Sequence, residues 1–314
     1  MIKTAILISP ECKAAYFADY KDVAKAELEF TLPHLKASIV DIGPLSFLHV
    51  NATEADIPSI MRLSLTQGIF EVTPGDSITP KAYKADFYHH NDLVFGSKFR
   101  GKTNERLTQM LINISLAALG RKEAKLLDPM CGRATTLFWA LRYGLKAKGI
   151  EKDPKALQDI MQIGKKWTTV HGEKLSFKEG FQTKKNKSHD GKFLEIKSPY
   201  TTMKVVIGDS SNSPELLNFE TFDIILADIP YGIEHRLGKH KSSLKAPLSA
   251  CIPKWEKVLK KDGVLTIAFN SYTQKKNELD ILLKKCGLKP LNFSAGHRMS
   301  ESILREVRIY KRSL

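Results

Sequence analysis

Four acidic residues follow four apolar runs in the later part of the chain, each where a strand would end. Asp128 closes LLD ahead of PMCGRATT, Glu151 follows AKGI, Asp209 follows VVIG, and Asp228 follows IILA ahead of IPYG. Packing alone does not place a carboxylate after each of four consecutive strands. A carboxylate after the second strand can take both hydroxyls of a ribose, and one after the third can accept the amino hydrogens of an adenine. The Gly132 turn after the first lets backbone approach a ligand and offers amide donors at a helix N-terminus. Together these describe a nucleoside held across strand tips, with Asp228 beside it.

Such an array needs strands that run in parallel and helices that return the chain. From residue 121 onward the pattern supplies them. LLDPM, KAKGIEKD, KVVIGDSS, DIILADIPYG and GVLTIAFN read as strands. ATTLFWALRYG, PKALQDIMQIGKKW, SACIPKWEKVLKKDG and KNELDILLKKCG read as helices, and LKPLNFSAGHR with REVRIYKR as a final strand pair. Alternating strands and helices predict βαβ units in an α/β, doubly wound, mostly parallel sheet with an antiparallel C-terminal strand. In such sheets ligands bind outside the carboxyl ends of the strands. A helix over Asn104–Leu119 precedes the first strand, with Leu107, Met110, Leu111, Ile114 and Ala118 on one face and Gly120 as its stop. Residues 171–204, with Lys184, Lys185, Lys187 and the turn signal Asp190-Gly191, read as an insertion forming a hairpin or a mobile loop.

Ahead of this region the pattern differs. TAILI reads as a strand, residues 11–30 as helical, ASIVDIG and LSFLHVNA as a hairpin around Gly43-Pro44, EADIPSIMRLSL as a helix and GIFEVTP as a strand. The expected organisation is an N-terminal α+β accessory unit over 1–85, a connector over 86–102 and an α/β domain over 103–314. Phe87, Tyr88 and Phe95 in the connector are expected to pack the two units together rather than to stack on bases.

The chain has 49 Lys and Arg against 34 Asp and Glu, a net charge of +15, which favours a polyanionic partner such as nucleic acid. Its four cysteines, Cys12, Cys131, Cys251 and Cys286, form no Cys-x-x-Cys pair, and no His cluster has ligand spacing in the sequence. This argues against a zinc site and a disulfide framework, and for a reducing compartment. The apolar stretch Ala5–Ile8 is too short for a signal peptide or a membrane span, so a cytoplasmic protein is expected.

DPMCGRATT, GIEKDP, IGDSS and ADIPYG, in this order, resemble the motifs of class I S-adenosylmethionine-dependent methyltransferases. The last resembles the Asp/Asn-Pro-Pro-Tyr/Phe signature of enzymes that methylate exocyclic nitrogens of bases. The Asp-Pro-x-Cys-Gly form of the first motif, the preceding helix and the basic N-terminal region look like the RNA methylase family that includes THUMP-associated tRNA and rRNA guanine-N2 methyltransferases. The motif resemblance covers about residues 100–312, and over 1–85 it is topological only. It implies a Rossmann-like methyltransferase sheet, S-adenosyl-L-methionine as cofactor and RNA as partner. Carried over by position, Asp128, Met130 and Gly132 belong to the cofactor loop, Glu151 and Lys152 to the ribose site, and Asp209 and Ser210 to the adenine site. Thr103 matches a position that holds the methionine carboxylate. Asp228, Pro230 and Tyr231 match the catalytic tetrapeptide.

The chain departs from the pattern where Arg133-Ala134 replaces Ser-Gly in the cofactor loop, and where Ile229 replaces the first proline of the tetrapeptide. Since the chemistry uses Asp228 and the Pro230 carbonyl, the second departure is expected to be tolerated. Arg100 and Lys102 are candidate RNA contacts. His235 and Arg236 read either as RNA contacts or as a solvated loop, and Cys131 as a packing residue rather than a nucleophile. The resemblance implies methylation of a guanine N2 in tRNA or rRNA. The alternatives are a DNA adenine or cytosine amino methyltransferase, an RNA-binding protein with a decayed methyltransferase domain, and a protein glutamine methyltransferase, which the charge disfavours.

Overall fold

The computed structural model describes residues 1–9, 20–75, 77–96, 103–182, 191–229, 245–300 and 303–313, with the backbone alone at 245–247, 297–300 and 303. Near the N-terminus, strands β1 (Ile2–Ile8), β2 (Ser38–Ile42), β3 (Leu45–Ala52), β4 (Thr66–Val72) and β5 (Ile78–Lys81) form an antiparallel sheet in the order β2-β3-β1-β4-β5. Gly43, at φ 56°, takes the left-handed conformation that turns β2 into β3. Helices α1 (Tyr20–Thr31) and α2 (Ile57–Met61) complete a β-α-β-β-α-β order. Here α2 is shorter than its sequence pattern suggests. The edge strand β5 does not stand out in the sequence, because Pro80 argues against a strand anywhere but at an edge.

The second sheet holds β6 (Lys125–Asp128), β7 (Lys146–Glu151), β8 (Ser176–Phe181), β9 (Lys192–Lys197), β10 (Thr202–Ile207), β11 (Phe222–Asp228), β12 (Leu259–Asn270), β13 (Leu288–Pro290), β14 (Ala295–Ser300) and β15 (Ile303–Arg312). Its order is β13-β15-β12-β11-β6-β7-β10-β9-β8, with β14 also paired to β15. The five central strands β12, β11, β6, β7 and β10 are parallel, and both flanks are antiparallel. The insertion expected over 171–204 contributes the antiparallel pair β8 and β9, which extends the sheet beyond β10. Lys184, Lys185 and Lys187 lie outside the described residues.

Helices α3 (Asp92–Phe95), α4 (Glu105–Leu119), α5 (Thr135–Tyr143), α6 (Ala156–His171), α7 (Ser213–Leu216), α8 (Lys245–Val258) and α9 (Lys276–Lys285) return the chain. Residues of α4, α5 and α6 join one apolar core with one sheet face, while α8 and α9 cover the other, so the sheet is doubly wound. Strand connections run from β6 outward to β7 and β10, then cross back to β11 and on to β12. Strand order therefore reverses between β6 and β11, where a crevice opens in folds of this kind.

Helix α4 joins the two sheets. Asn104 caps its N-terminus, accepting the Leu107 amide at 2.9 Å, and Gly120 ends it at φ 77°. The helix is buried on more than its apolar face: Gln109 and Asn113 are covered by the N-terminal unit. Asn113 Nδ2 donates to Glu27 Oε1 on α1 at 2.7 Å and to the Arg62 carbonyl at 2.8 Å. Glu27 also accepts the Ser64 amide and hydroxyl, so a buried carboxylate ties α1, α4 and the segment before β4 together. Burial pushes the Glu27 carboxyl up, and the Asn113 and Ser64 hydrogen bonds oppose it. No described helix is long and apolar enough to cross a membrane.

Candidate active site

Asp128 and Asp228 end the two strands that flank the order reversal. Asp128 is 3% exposed, and its Oδ1 accepts the Met130 amide at 3.0 Å while Thr136 donates to its side chain. Burial pushes its carboxyl up to about 7, and the charges of Asp228 and Glu151 push the same way. The Asp228 side chain is 8% exposed. Desolvation raises it to about 6, restrained by the Arg305 guanidinium and by a hydrogen bond from Thr103.

Arg305 is the residue that the sequence motifs do not indicate. It sits on β15, which runs antiparallel to β12, and its Nη1 reaches Asp228 Oδ1. The same nitrogen donates to the Ile229 carbonyl at 2.9 Å and lies 3.5 Å from that of Ala268. Arg305 thus holds both the carboxylate and the first peptide beyond β11. Ile229 itself is buried in the core under α8, so its replacement of proline supplies an apolar anchor.

The loop after β6 approaches the tip of β7. Gly132, at φ 52°, donates its amide to Glu151 Oε2 at 2.8 Å, while Glu151 Oε1 accepts the Asp153 amide at 2.8 Å. Ala134 adopts φ 63° and ψ 31° ahead of α5, a left-handed conformation that glycine takes freely and alanine resists. Ala134 thus holds, where the sequence pattern has its second glycine, a backbone conformation open to glycine. The Arg133 side chain is engaged by α6 and the turn before it, with Nε 2.7 Å from Asp159 and Nη1 3.2 Å from Asp153. Cys131 is buried against Gly149, whose missing side chain makes room for it: a Cβ there would lie 2.6 Å from the Cys131 Sγ. Burial raises the Cys131 thiol well above its ordinary range.

At the β10 tip, Asp209 Oδ1 accepts the Ser211 amide at 2.9 Å and its hydroxyl at 2.7 Å, and Lys152 lies 3.0 Å from Oδ2. These bonds hold the Asp209 carboxyl below its ordinary value. Ser210 is turned into the structure, where its Oγ accepts the Trp255 indole N–H at 2.8 Å. The carboxyl edge thus gathers Thr103, Asp128, Met130, Gly132, Glu151, Lys152, Asp209 and Asp228. Pro230, Tyr231, His235, Arg236, Arg100 and Lys102 lie outside the described residues.

A cleft of about 510 Å³ opens elsewhere, between the N-terminal unit, the connector, α4 and α5. Arg106, Arg142 and Trp139 line it, and none of the four strand-end acids does. Phe87 and Phe95 pack on Trp139 there, joining connector to helix. Tyr88 is half exposed and stacks on Tyr200 at 4.9 Å.

No family model and no curated protein matches the chain. Among solved structures it is similar to TrmN from Thermus thermophilus, with 15% identity, a TM-score of 0.44, and coverage of 88% of this chain and 60% of that one. It therefore spans about 60% of the TrmN chain. It is also similar to an S-adenosylmethionine-dependent methyltransferase from Clostridium acetobutylicum, with 12% identity, TM-score 0.45, and 68% of this chain and 94% of that one covered. A third is the 1,6-didemethyltoxoflavin-N1-methyltransferase of Burkholderia thailandensis, solved with S-adenosylhomocysteine, with 16% identity, TM-score 0.43, and 67% and 80% covered. At these scores the likeness carries no statement about activity, which has to be argued from the residues.

Proposed function

We propose that this chain is an S-adenosylmethionine-dependent RNA methyltransferase that modifies the exocyclic N2 amino group of a guanine in tRNA or rRNA. The observation that carries the reading is the row of acids along one sheet edge, with Asp128 and Asp228 on either side of the order reversal. S-adenosylmethionine is cationic at sulfur and rich in donors at its ribose, amine and adenine. An edge of carboxylates with a glycine cradle fits that donor set. Glu151 would accept the ribose hydroxyls, Asp209 the adenine amine, and Asp128 with the Gly132 loop would line the methionine side. The excess of positive charge fits an RNA partner.

When bound, the cofactor supplies an electrophilic methyl on a sulfonium sulfur. The chain's task is to aim and polarise an amine whose lone pair is delocalised into the base. Asp228, ionised above about pH 6, accepts one amino hydrogen, and the Pro230 carbonyl is assigned the other. The amine lone pair would thereby be aimed at that methyl, and Asp228 or solvent would take the surplus amine proton. Tyr231 is assigned the stacking face for a base drawn out of its helix.

The Arg305 pair favours a second reading, an RNA-binding protein that has lost methyl transfer, because the guanidinium occupies one oxygen of Asp228. Titration calorimetry with S-adenosylmethionine separates the two, since no binding would favour the second. Nucleoside mass spectrometry of RNA from a strain lacking the gene tests the substrate. Loss of N2-methylguanosine is the expected result, and unchanged RNA beside altered DNA would overturn it in favour of a DNA amino methyltransferase.

A further inference from the structure

Away from the strand-end acids, His90, Asp92 and His171 bring three ligand atoms within 4.8 Å of one another. His171 Nε2 lies 3.1 Å from Asp92 Oδ2, and His90 Nδ1 lies 3.5 Å from the same oxygen. Ligands at 2.0–2.1 Å from a tetrahedral Zn²⁺ stand roughly 3.3 Å apart, close to both spacings, although His90 Nδ1 also accepts the Asp92 amide at 3.3 Å, a bond that the metal would displace. The rings are already ordered. The His90 and His171 ring centroids lie 4.6 Å apart, and those of Trp167 and His171 lie 5.6 Å apart.

The surroundings favour a cation. His171 is the last residue of α6, where the helix dipole presents its negative end, and Gly172 closes the helix at φ 67°. Beside the cluster a second contact joins the same two segments, with His89 Nδ1 2.6 Å from Glu173 Oε2. Two imidazoles and one carboxylate suit Zn²⁺ and related transition metals, whereas Mg²⁺ and Ca²⁺ prefer all-oxygen shells. No histidine cluster shows ligand spacing along the chain, because Asp92 and His171 are 79 residues apart. The fold brings them together.

We propose that His90, Asp92 and His171 form a divalent transition-metal site of the zinc type, with a water-filled fourth position, that staples the connector to the C-terminal end of α6. The alternative is a hydrogen-bonded cluster with no metal.

The test uses the untagged full chain, stripped with a chelator and titrated with Zn²⁺ by calorimetry, with thermal unfolding followed in parallel. The expected result is one equivalent bound at micromolar affinity or tighter, and an unfolding midpoint raised by several degrees and restored by EDTA. His90→Ala/His171→Ala, the first site exposed and the second part-buried, should weaken binding by about 30-fold or more and abolish the shift. Asp92→Asn should weaken it while circular dichroism stays unchanged. Co²⁺ in place of Zn²⁺ should give the visible absorption of a low-symmetry nitrogen–oxygen site. Absence of stoichiometric binding, or equal binding by the double variant, would overturn the site. No readout depends on methyl transfer, so the result stands apart from the proposed activity.

Discussion

Asp228 at the end of β11 and Arg305 on β15 form an ion pair between two buried side chains, 77 residues apart in the chain. The pair couples the candidate catalytic carboxylate to the antiparallel flank of the sheet. Arg305→Ala would leave a buried carboxylate without its counter-charge, at a cost of about 3–5 kcal/mol. Urea unfolding at pH 7.5 measures this, and a loss under 1 kcal/mol would show that the pair does not hold the site.

Asp228→Asn keeps an oxygen for Arg305 and removes the charge that polarises the amine. Turnover should fall by about 10²-fold or more while cofactor affinity changes little, as for the loss of one preorganised transition-state contact. Single-turnover methylation of RNA together with calorimetry separates the two effects. Undiminished turnover would sink the role assigned to Asp228.

The pH dependence has two parts with separate signs. Protonation of Asp228 removes its acceptor charge, so methyl transfer should decline as pH falls through about 6. Asp128, with its folded value near 7 and an unfolded value near that of ordinary aspartate, binds more protons folded than unfolded between those limits. Its contribution to stability is therefore greatest at low pH and is lost as pH rises through about 7. Asp128→Asn should consequently stabilise the apoprotein more at pH 8 than at pH 5. Melting curves at the two pH values test this, and the opposite order would refute it.

Glu27 accepts from Ser64 and Asn113 inside the packing of α1 on α4. Glu27→Ala would strand these donors without water, and the loss should be about 2–4 kcal/mol for two to three orphaned hydrogen bonds. Because the network spans both sheets, the unmodified protein should unfold in one transition, by fluorescence and by circular dichroism alike. Two separated transitions in the unmodified protein would contradict that coupling.

Ala134 pays for the missing glycine with a left-handed backbone. Ala134→Gly should change stability by less than about 1 kcal/mol, since strain relief is offset by a lost buried methyl and a more flexible unfolded chain. Ala134→Val, β-branched at positive φ, should cost about 2 kcal/mol or more. Thermal melts of the pair distinguish backbone strain from side-chain packing as the constraint on this loop.

Local patterns carried much of the architecture. Apolar runs of strand length between 3.6-periodic segments placed β6, β7, β10, β11 and β12, and Asn104 with Gly120 bounded α4. The strand-end acids were visible because each interrupts an apolar run at a charge. Helix α4 was only half legible: its periodicity marked the face toward the sheet, whereas the burial of Gln109 and Asn113 depends on a second unit that no local pattern reveals. Strand β5 carries Pro80 and too few apolar residues to stand out.

The chain's order of residues sets where each carboxylate stands along its own strand, since side-chain spacing, turn residues and helix caps act over a few positions. It does not set which strands become neighbours. That Asp128 and Asp228 end neighbouring strands follows from β6 pairing with β11, and that Arg305 neutralises Asp228 follows from β15 lying antiparallel beside β12. The meeting of His90 and Asp92 with His171 is of the same kind. Burial and charge pairing across such distances arise only when the sheet closes around its core, and there the tertiary structure decides which acids are ionised and what holds them.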